Sequence, residues 1–282
     1  MRRGPGRQPR QAARRGPAGP PYRDASPIGR PRYPDRVHEP RPARGLTRRP
    51  LLVLWDVDGT LVDSAKLGRD AFFEAFEAVT GAPPTEMVPF AGRTDLEIAH
   101  DMLEAAGIRA DDGLLDRFED ELIVAMAARA DELRERGRAL PGAAGALERL
   151  AGEPNVIQSL LTGNLERNAL VKLSAFDLAR HIDFGSGAYG SDHRVRGELV
   201  AIARRRASER HGVELELDDI ALVGDTPLDI AAAREGGARA IGVATGPFDE
   251  EALAAAGADS VLPSLADSSA LLRALGIDPV SS

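Results

Sequence analysis

From residue 51 onward the chain is punctuated by short, continuous apolar runs, each closed by residues that break regular structure. They fall at residues 51–55, 156–161, 220–223 and 240–243, with a weaker one at 260–262. A run of this length without polar alternation predicts a strand buried on both faces. Between the runs lie helical patterns at residues 144–150, 199–211 and 229–235. Strands alternating with helices predict a doubly wound α/β domain around a parallel sheet.

One stretch breaks the alternation. Residues 66–138 show helical periodicity and no convincing strand. Phe72, Phe73, Phe76 and Val79 share one helical face, and that helix closes at Gly81. Thr94 with Glu97 has the spacing of a capping box for a second helix ending at Gly107. A long amphipathic helix is expected over residues 114–135, and Pro141-Gly142 marks the return to the α/β body. The insert reads as a smaller, all-helical domain over residues 67–138, dividing a core of residues 50–66 and 139–276.

Charge separates the remaining segment from both. The chain carries a formal net charge of −8, yet residues 1–49 hold fourteen arginines against Asp24, Asp35 and Glu39. All the net negative charge therefore lies in the body, which repels nucleic acid. The segment 1–49 is rich in Pro and Gly and poor in large aliphatics, so disorder is expected there. It lacks the apolar stretch of a signal peptide. Thr47-Arg48-Arg49-Pro50-Leu51-Leu52 approaches a twin-arginine export signal, but its apolar run stops at Asp56 and serves better as a core strand. No run nears the ~18 apolar residues of a membrane helix, and no membrane partner is expected. Cysteine is absent, which excludes disulfides and thiolate chemistry.

The chemistry gathers where predicted strands end. Asp56-Val57-Asp58-Gly59-Thr60 follows the first run, and residues i and i+2 of extended chain project to one side. Two carboxylates then converge where open α/β sheets bind ligands, and their charges need a cation or a proton. Leu161-Thr162-Gly163-Asn164 ends the second run, and its hydroxyl and backbone N–H groups form a candidate nest for phosphate oxygens. Val223-Gly224-Asp225-Thr226-Pro227-Leu228-Asp229 closes the third. Asp225 supplies a further hard oxygen ligand suited to Mg²⁺. Asp229 is explained locally as a capping-box acid, with Thr226 as N-cap and Pro227 as first helical residue. Arg194 and Arg196 precede the next helix, and either can neutralise a phosphoryl group. The five histidines show no metal-ligand spacing.

In this order the motifs resemble the haloacid dehalogenase superfamily across roughly residues 51–266, with DVDGTLVDS and LVGDTPLDIAAAREGG as the longest matches. The match is to its phosphoglycolate-phosphatase-like group. The resemblance implies a Rossmann-like core with a helical cap inserted after the first motif. It implies Asp56 as nucleophile and Asp58 as general acid/base, with Mg²⁺ held by Asp56, the Asp58 backbone carbonyl and Asp225, and Asp229 behind them. Thr162, Gly163 and Arg196 would hold the phosphoryl oxygens. The family's usual lysine-proline pair is missing, so Arg196 is placed by order alone and Arg194 stays its alternative. Arg93, in a loop between insert helices, is the candidate for a second anionic group on the substrate. The expected activity is magnesium-dependent hydrolysis of a small-molecule phosphate monoester by a cytoplasmic enzyme. A sugar phosphomutase of the same fold is the alternative, as is a catalytically silent protein that binds partners through its basic tail.

Overall fold

The computed structural model describes residues 49–193 and 195–277. The expected disorder of the arginine-rich tail, apart from Arg49, and the candidacy of Arg194 lie outside the described residues.

Five parallel strands form the sheet in the order β4-β1-β5-β6-β7. They are β1 (Leu51–Trp55), β4 (Val156–Leu160), β5 (Ile220–Gly224), β6 (Arg239–Val243) and β7 (Ser260–Leu262). In β1 the residues alternate between two cores. Val53 and Trp55 pack with α5 (Ala143–Ala151), α6 (Glu166–Ser174) and α10 (Ser268–Ala274) on one face. Leu52 and Leu54 pack with α7 (Glu198–His211), α8 (Pro227–Glu235) and α9 (Glu250–Ala255) on the other. All four side chains are fully buried, which is why this strand carries no polar position. The arrangement is the doubly wound α/β fold read from the sequence.

Register decides where the site lies. Trp55 pairs with Leu160 on one side and Val223 on the other, so the three strands end level. Leu161 N–H donates to the Trp55 carbonyl and Asp56 N–H to that of Val223, at 3.0 and 2.9 Å. Strand order also reverses at β1, with β4 on one flank and the later strands on the other. Such a switch point opens a crevice beyond the carboxyl ends of the strands.

Residues 67–136 fold as α1 (Leu67–Thr80), α2 (Asp95–Ala105), α3 (Asp112–Ala128) and α4 (Ala130–Arg136). They share an apolar cluster built on Phe72, Phe76, Met102, Phe118 and Met126, which also takes in Leu165 from the core. Of the proposed α1 face, Phe72 and Phe76 are buried while Phe73 and Val79 are only partly so. Two expectations need correction. The single helix over residues 114–135 is broken at Arg129, which ends α3 and starts α4. Its guanidinium donates to the Ala125 carbonyl and pairs with Glu74 on α1, fixing the break. The boundary is also not strand-free: β2 (Val62–Asp63) and β3 (Arg138–Ala139) pair antiparallel where the chain leaves and re-enters the core. Two residues of ladder are too short to show a period in sequence. No helix among the described residues is long and apolar enough to cross a membrane.

Candidate active site

Asp56 is the first residue beyond β1, and its carboxylate is almost wholly buried. Val57 turns into the core, and its carbonyl accepts from the N–H groups of Leu61 and Val62, closing a tight turn. Gly59 occupies the left-handed region at φ +85, and a Cβ there would lie 2.3 Å from the Asp225 carboxylate. Only glycine meets both demands. Gly246 crowds Asp225 from the other side, where a Cβ would come within 1.7 Å. The Thr60 hydroxyl donates to Asp225 at 3.0 Å.

Oxygens of Asp56, Asp225 and Asp229 all lie within 4.8 Å of one another. Burial first, then the neighbouring negative charges, pushes Asp56 and Asp225 well above the usual carboxylate range. Three buried acids so close repel unless a cation joins them, so the donor set fits a hard divalent ion. Asp229 does more than its local sequence requires. It forms the expected capping box with Thr226, and its second oxygen also pairs with Arg196.

Arg196 binds Asp56 through Nη2 at 2.7 Å and donates from Nη1 to the Gly92 carbonyl of the insert at 2.8 Å. Burial works against its charge, but Asp229 and Asp56 hold it protonated. Its Nε is buried without a partner. A guanidinium in this position, with a donor to spare, suits an oxyanion beside Asp56.

Asp58 faces a different set of groups. Its Oδ2 accepts from Lys172 Nζ at 2.5 Å and from Asn164 Nδ2 at 2.9 Å, and its Oδ1 from Ser64 at 3.0 Å. Burial opposes the charge, yet Lys172 and these hydrogen bonds hold the carboxyl below its usual range. Sequence reasoning missed Lys172. It lies on α6, outside every motif, and the only signal was its rarity: with Lys66 it is one of two lysines in a chain that otherwise uses arginine. Its ammonium is buried and also donates to Asn164 at 2.6 Å.

Thr162 is fully buried beside Asn164, whose amide donates to its hydroxyl at 2.8 Å. The Thr162 and Asn164 N–H groups are already engaged, by the Ala188 carbonyl and the Thr162 hydroxyl. The expected nest of free N–H groups is thus partly spent within the protein. Gly163 is where the insert touches down: a Cβ there would lie 2.0 Å from the Arg93 carbonyl, and its own carbonyl accepts from Asp95 N–H at 2.7 Å. Asp95 is a second residue the sequence did not reveal. Its carboxylate accepts from Leu165 N–H at 2.9 Å, and burial, partly offset by Lys172, pushes it up to about 7.

Arg93 lines the cavity, but its guanidinium is filled by Glu97, Asp101 and the Pro89 carbonyl. Thr94 caps α2 by accepting from Glu97 N–H. Glu97 itself turns to Arg93. The cavity, about 590 Å³, is lined by Asp56, Thr162 and Arg196 of the core and by the apolar Phe72, Ile98, Leu122 and Met126 of the insert.

A model of the haloacid dehalogenase-like hydrolases matches residues 53–234, well over half of the chain. No curated protein matches the sequence. Among solved structures, a hydrolase from Pseudomonas syringae is 24% identical with a TM-score of 0.57, covering 80% of this chain and 98% of its own. A predicted phosphoglycolate phosphatase from Haemophilus somnus is 20% identical with a TM-score of 0.57, covering 81% and 99%. CbbY from Rhodobacter sphaeroides in complex with phosphate is 20% identical with a TM-score of 0.61, covering 80% and 99%. At these identities the structural likenesses speak for the fold.

Proposed function

The chain belongs to the haloacid dehalogenase-like hydrolases, and on that footing we propose that it hydrolyses a small-molecule phosphate monoester with Asp56 as nucleophile. One observation carries the reading. At the switch point of the sheet, a buried carboxylate stands beside a buried guanidinium, with a second acid two residues away on a separate hydrogen-bond network. Nucleophile and proton carrier need this separation, because each must ionise on its own terms.

In the first step an oxygen of Asp56 attacks phosphorus, the bond to the leaving oxygen breaks, and an aspartyl-phosphate forms. Arg196 steadies the phosphoryl oxygens, helped by Thr162 and Gly163, which line the same cavity. Asp58, whose Oδ2 accepts from Lys172 at 2.5 Å, passes a proton to the leaving oxygen and takes one from water in the second step. That water attacks phosphorus and frees Asp56 and inorganic phosphate. Mg²⁺ held by Asp56, Asp225 and the Asp58 backbone carbonyl, backed by Asp229, would neutralise charge on the transferring group. The helical insert acts as a cap over the cavity. The phosphate held by the Rhodobacter neighbour and the name of the Haemophilus one are consistent with this reaction class. A cytoplasmic setting belongs to the same reading and rests on the sequence.

The test is phosphate release from p-nitrophenyl phosphate and a panel of monoesters, with and without Mg²⁺, for the wild type and Asp56→Asn. Release that needs Mg²⁺ and vanishes in the variant is the expected result. Transfer of the phosphoryl group to a sugar hydroxyl instead of water would mark a mutase. Release unaffected by the substitution would remove Asp56 as nucleophile.

A further inference from the structure

The acids of the site come from the ends of β1 and β5, but the turn after β6 also closes on them. In the sheet β6 lies beside β5 and two places from β1. Gly242 of β6 pairs with Gly224 of β5, the residue before Asp225. Thr245 and Gly246 follow that strand and line the cavity. The Thr245 hydroxyl donates to the Gly59 carbonyl at 2.6 Å, joining two loops 186 positions apart in the chain. The turn itself does not require this bond. Its backbone closes it already, with Thr245 N–H donating to the Val243 carbonyl at 2.9 Å.

Gly59 is the residue such a contact controls. Its N–H donates to the Val62 carbonyl at 2.9 Å, and Thr245 holds its carbonyl, so the peptide groups on both sides of it are fixed. A peptide is planar, so fixing the Gly59 N–H also fixes the direction of the Asp58 carbonyl in the same plane. The next residue, Thr60, is fully buried and donates its hydroxyl to Asp225 at 3.0 Å. Gly246 approaches Asp225 so closely that a Cβ would lie 1.7 Å from the carboxylate. Asp225 is thus enclosed by Gly59, Thr60 and Gly246, and Thr245 ties the first of these to the last.

We propose that Thr245 is a positioning residue for the metal site: by pinning Gly59 it sets the spacing between the Asp58 backbone carbonyl and Asp225, and so favours a small ion of strict geometry. The proposal rests on the magnesium-dependent phosphatase reading above. Thr245 offers no ligand and acts only through Gly59. Mg²⁺ demands near-octahedral geometry at short distances, whereas Ca²⁺ accepts a larger and more flexible shell. A donor set braced from β1, β5 and β6 suits the first ion and penalises the second.

The test titrates Mg²⁺ and Ca²⁺ by calorimetry into the full chain, as wild type, Thr245→Val, Thr245→Ala and Thr245→Ser. Loss of the hydroxyl should weaken Mg²⁺ binding by roughly tenfold or more. Ca²⁺ binding should weaken by less than about threefold, so the preference for Mg²⁺ shrinks. Thr245→Ser keeps the donor and should stay within about threefold of the wild type for both ions. Valine and alanine remove the same donor with different bulk, and whichever variant keeps the wild-type circular dichroism is read. Unchanged Mg²⁺ affinity without the hydroxyl, an equal loss for both ions, or no rescue by serine overturns the proposal. None of these readouts needs turnover. The expected dependence on Thr245 in a chain that hydrolyses no ester would fail the phosphatase reading alone. Magnesium-dependent hydrolysis with Mg²⁺ affinity indifferent to Thr245 would fail this inference alone.

Discussion

The two walls of the cavity carry opposite imbalances of charge. On the core side Asp56, Asp225 and Asp229 crowd together, and Arg196 alone is paired within the group. On the insert side Arg93 is saturated by two acids, while Arg69 beside the same space has none. The core wall therefore lacks a cation and the insert wall lacks an anion. A phosphate ester and a divalent ion, the ligands of the proposed reaction, would supply one to each wall. Each region is unsatisfied in the way the other half of the ligand set would cure.

Removing the acid at the centre of the core wall should have the largest consequence. Asp56→Asn is expected to cut kcat by roughly four orders of magnitude or more while leaving the far-ultraviolet circular dichroism unchanged. Survival of appreciable turnover would show that the acid cluster is not where chemistry begins. Next comes Lys172→Met, which removes the charge that keeps Asp58 ionised. A fall of roughly a hundredfold or more is expected. The ascending limb of the kcat–pH profile should move to higher pH, because Asp58 without its ammonium holds its proton longer. A drop in rate with an unmoved profile would leave Lys172 a packing role only.

Breaking the seam between the walls should cost less. Gly163→Ala places a methyl 2.0 Å from the Arg93 carbonyl. Overpacking of this kind is worth about 1–3 kcal/mol. It should appear mainly as a raised KM, with a small change in melting midpoint. The smallest effect expected is on the core wall without substrate. Burial, with repulsion between the acids, raises Asp56 to about 7 and Asp225 to about 9 from 3.8. The folded chain therefore holds more protons than the unfolded one across that window, and stability without a cation falls as pH rises through it. Mg²⁺ takes the place of those protons, so its rise in melting midpoint should be larger near about pH 8 than near about pH 6. Equal rises at both pH values would argue that the cluster does not hold the ion.

The same two walls differ in how far they can be read without a structure. At the core, sequence and space run together. The apolar run of β1 ends at Asp56, that of β5 ends beside Asp225, and level strand ends bring them together. Thr226, Pro227 and Asp229 fall within one helical turn, so the capping box was legible in full. The seam has no such local signature. Lys172 reaches Asp58 across 114 positions, and Asp95 reaches Leu165 across 70. Neither partner announces the other. Arg93 and Arg69 look alike as charged residues of the insert, and only the packing of Glu97 and Asp101 tells the filled guanidinium from the one whose Nε is buried without a partner. The break at Arg129 and the β2–β3 ribbon likewise depend on tertiary pairs rather than on period.

Arg196 touches Asp56 with one nitrogen and the Gly92 carbonyl of the insert with another. One rigid planar group thereby ties the core to the insert, and on the proposed reading the same group would meet an oxyanion at Asp56. Reciprocity requires that whatever free energy the tie to the insert lends the oxyanion, the oxyanion returns to that tie.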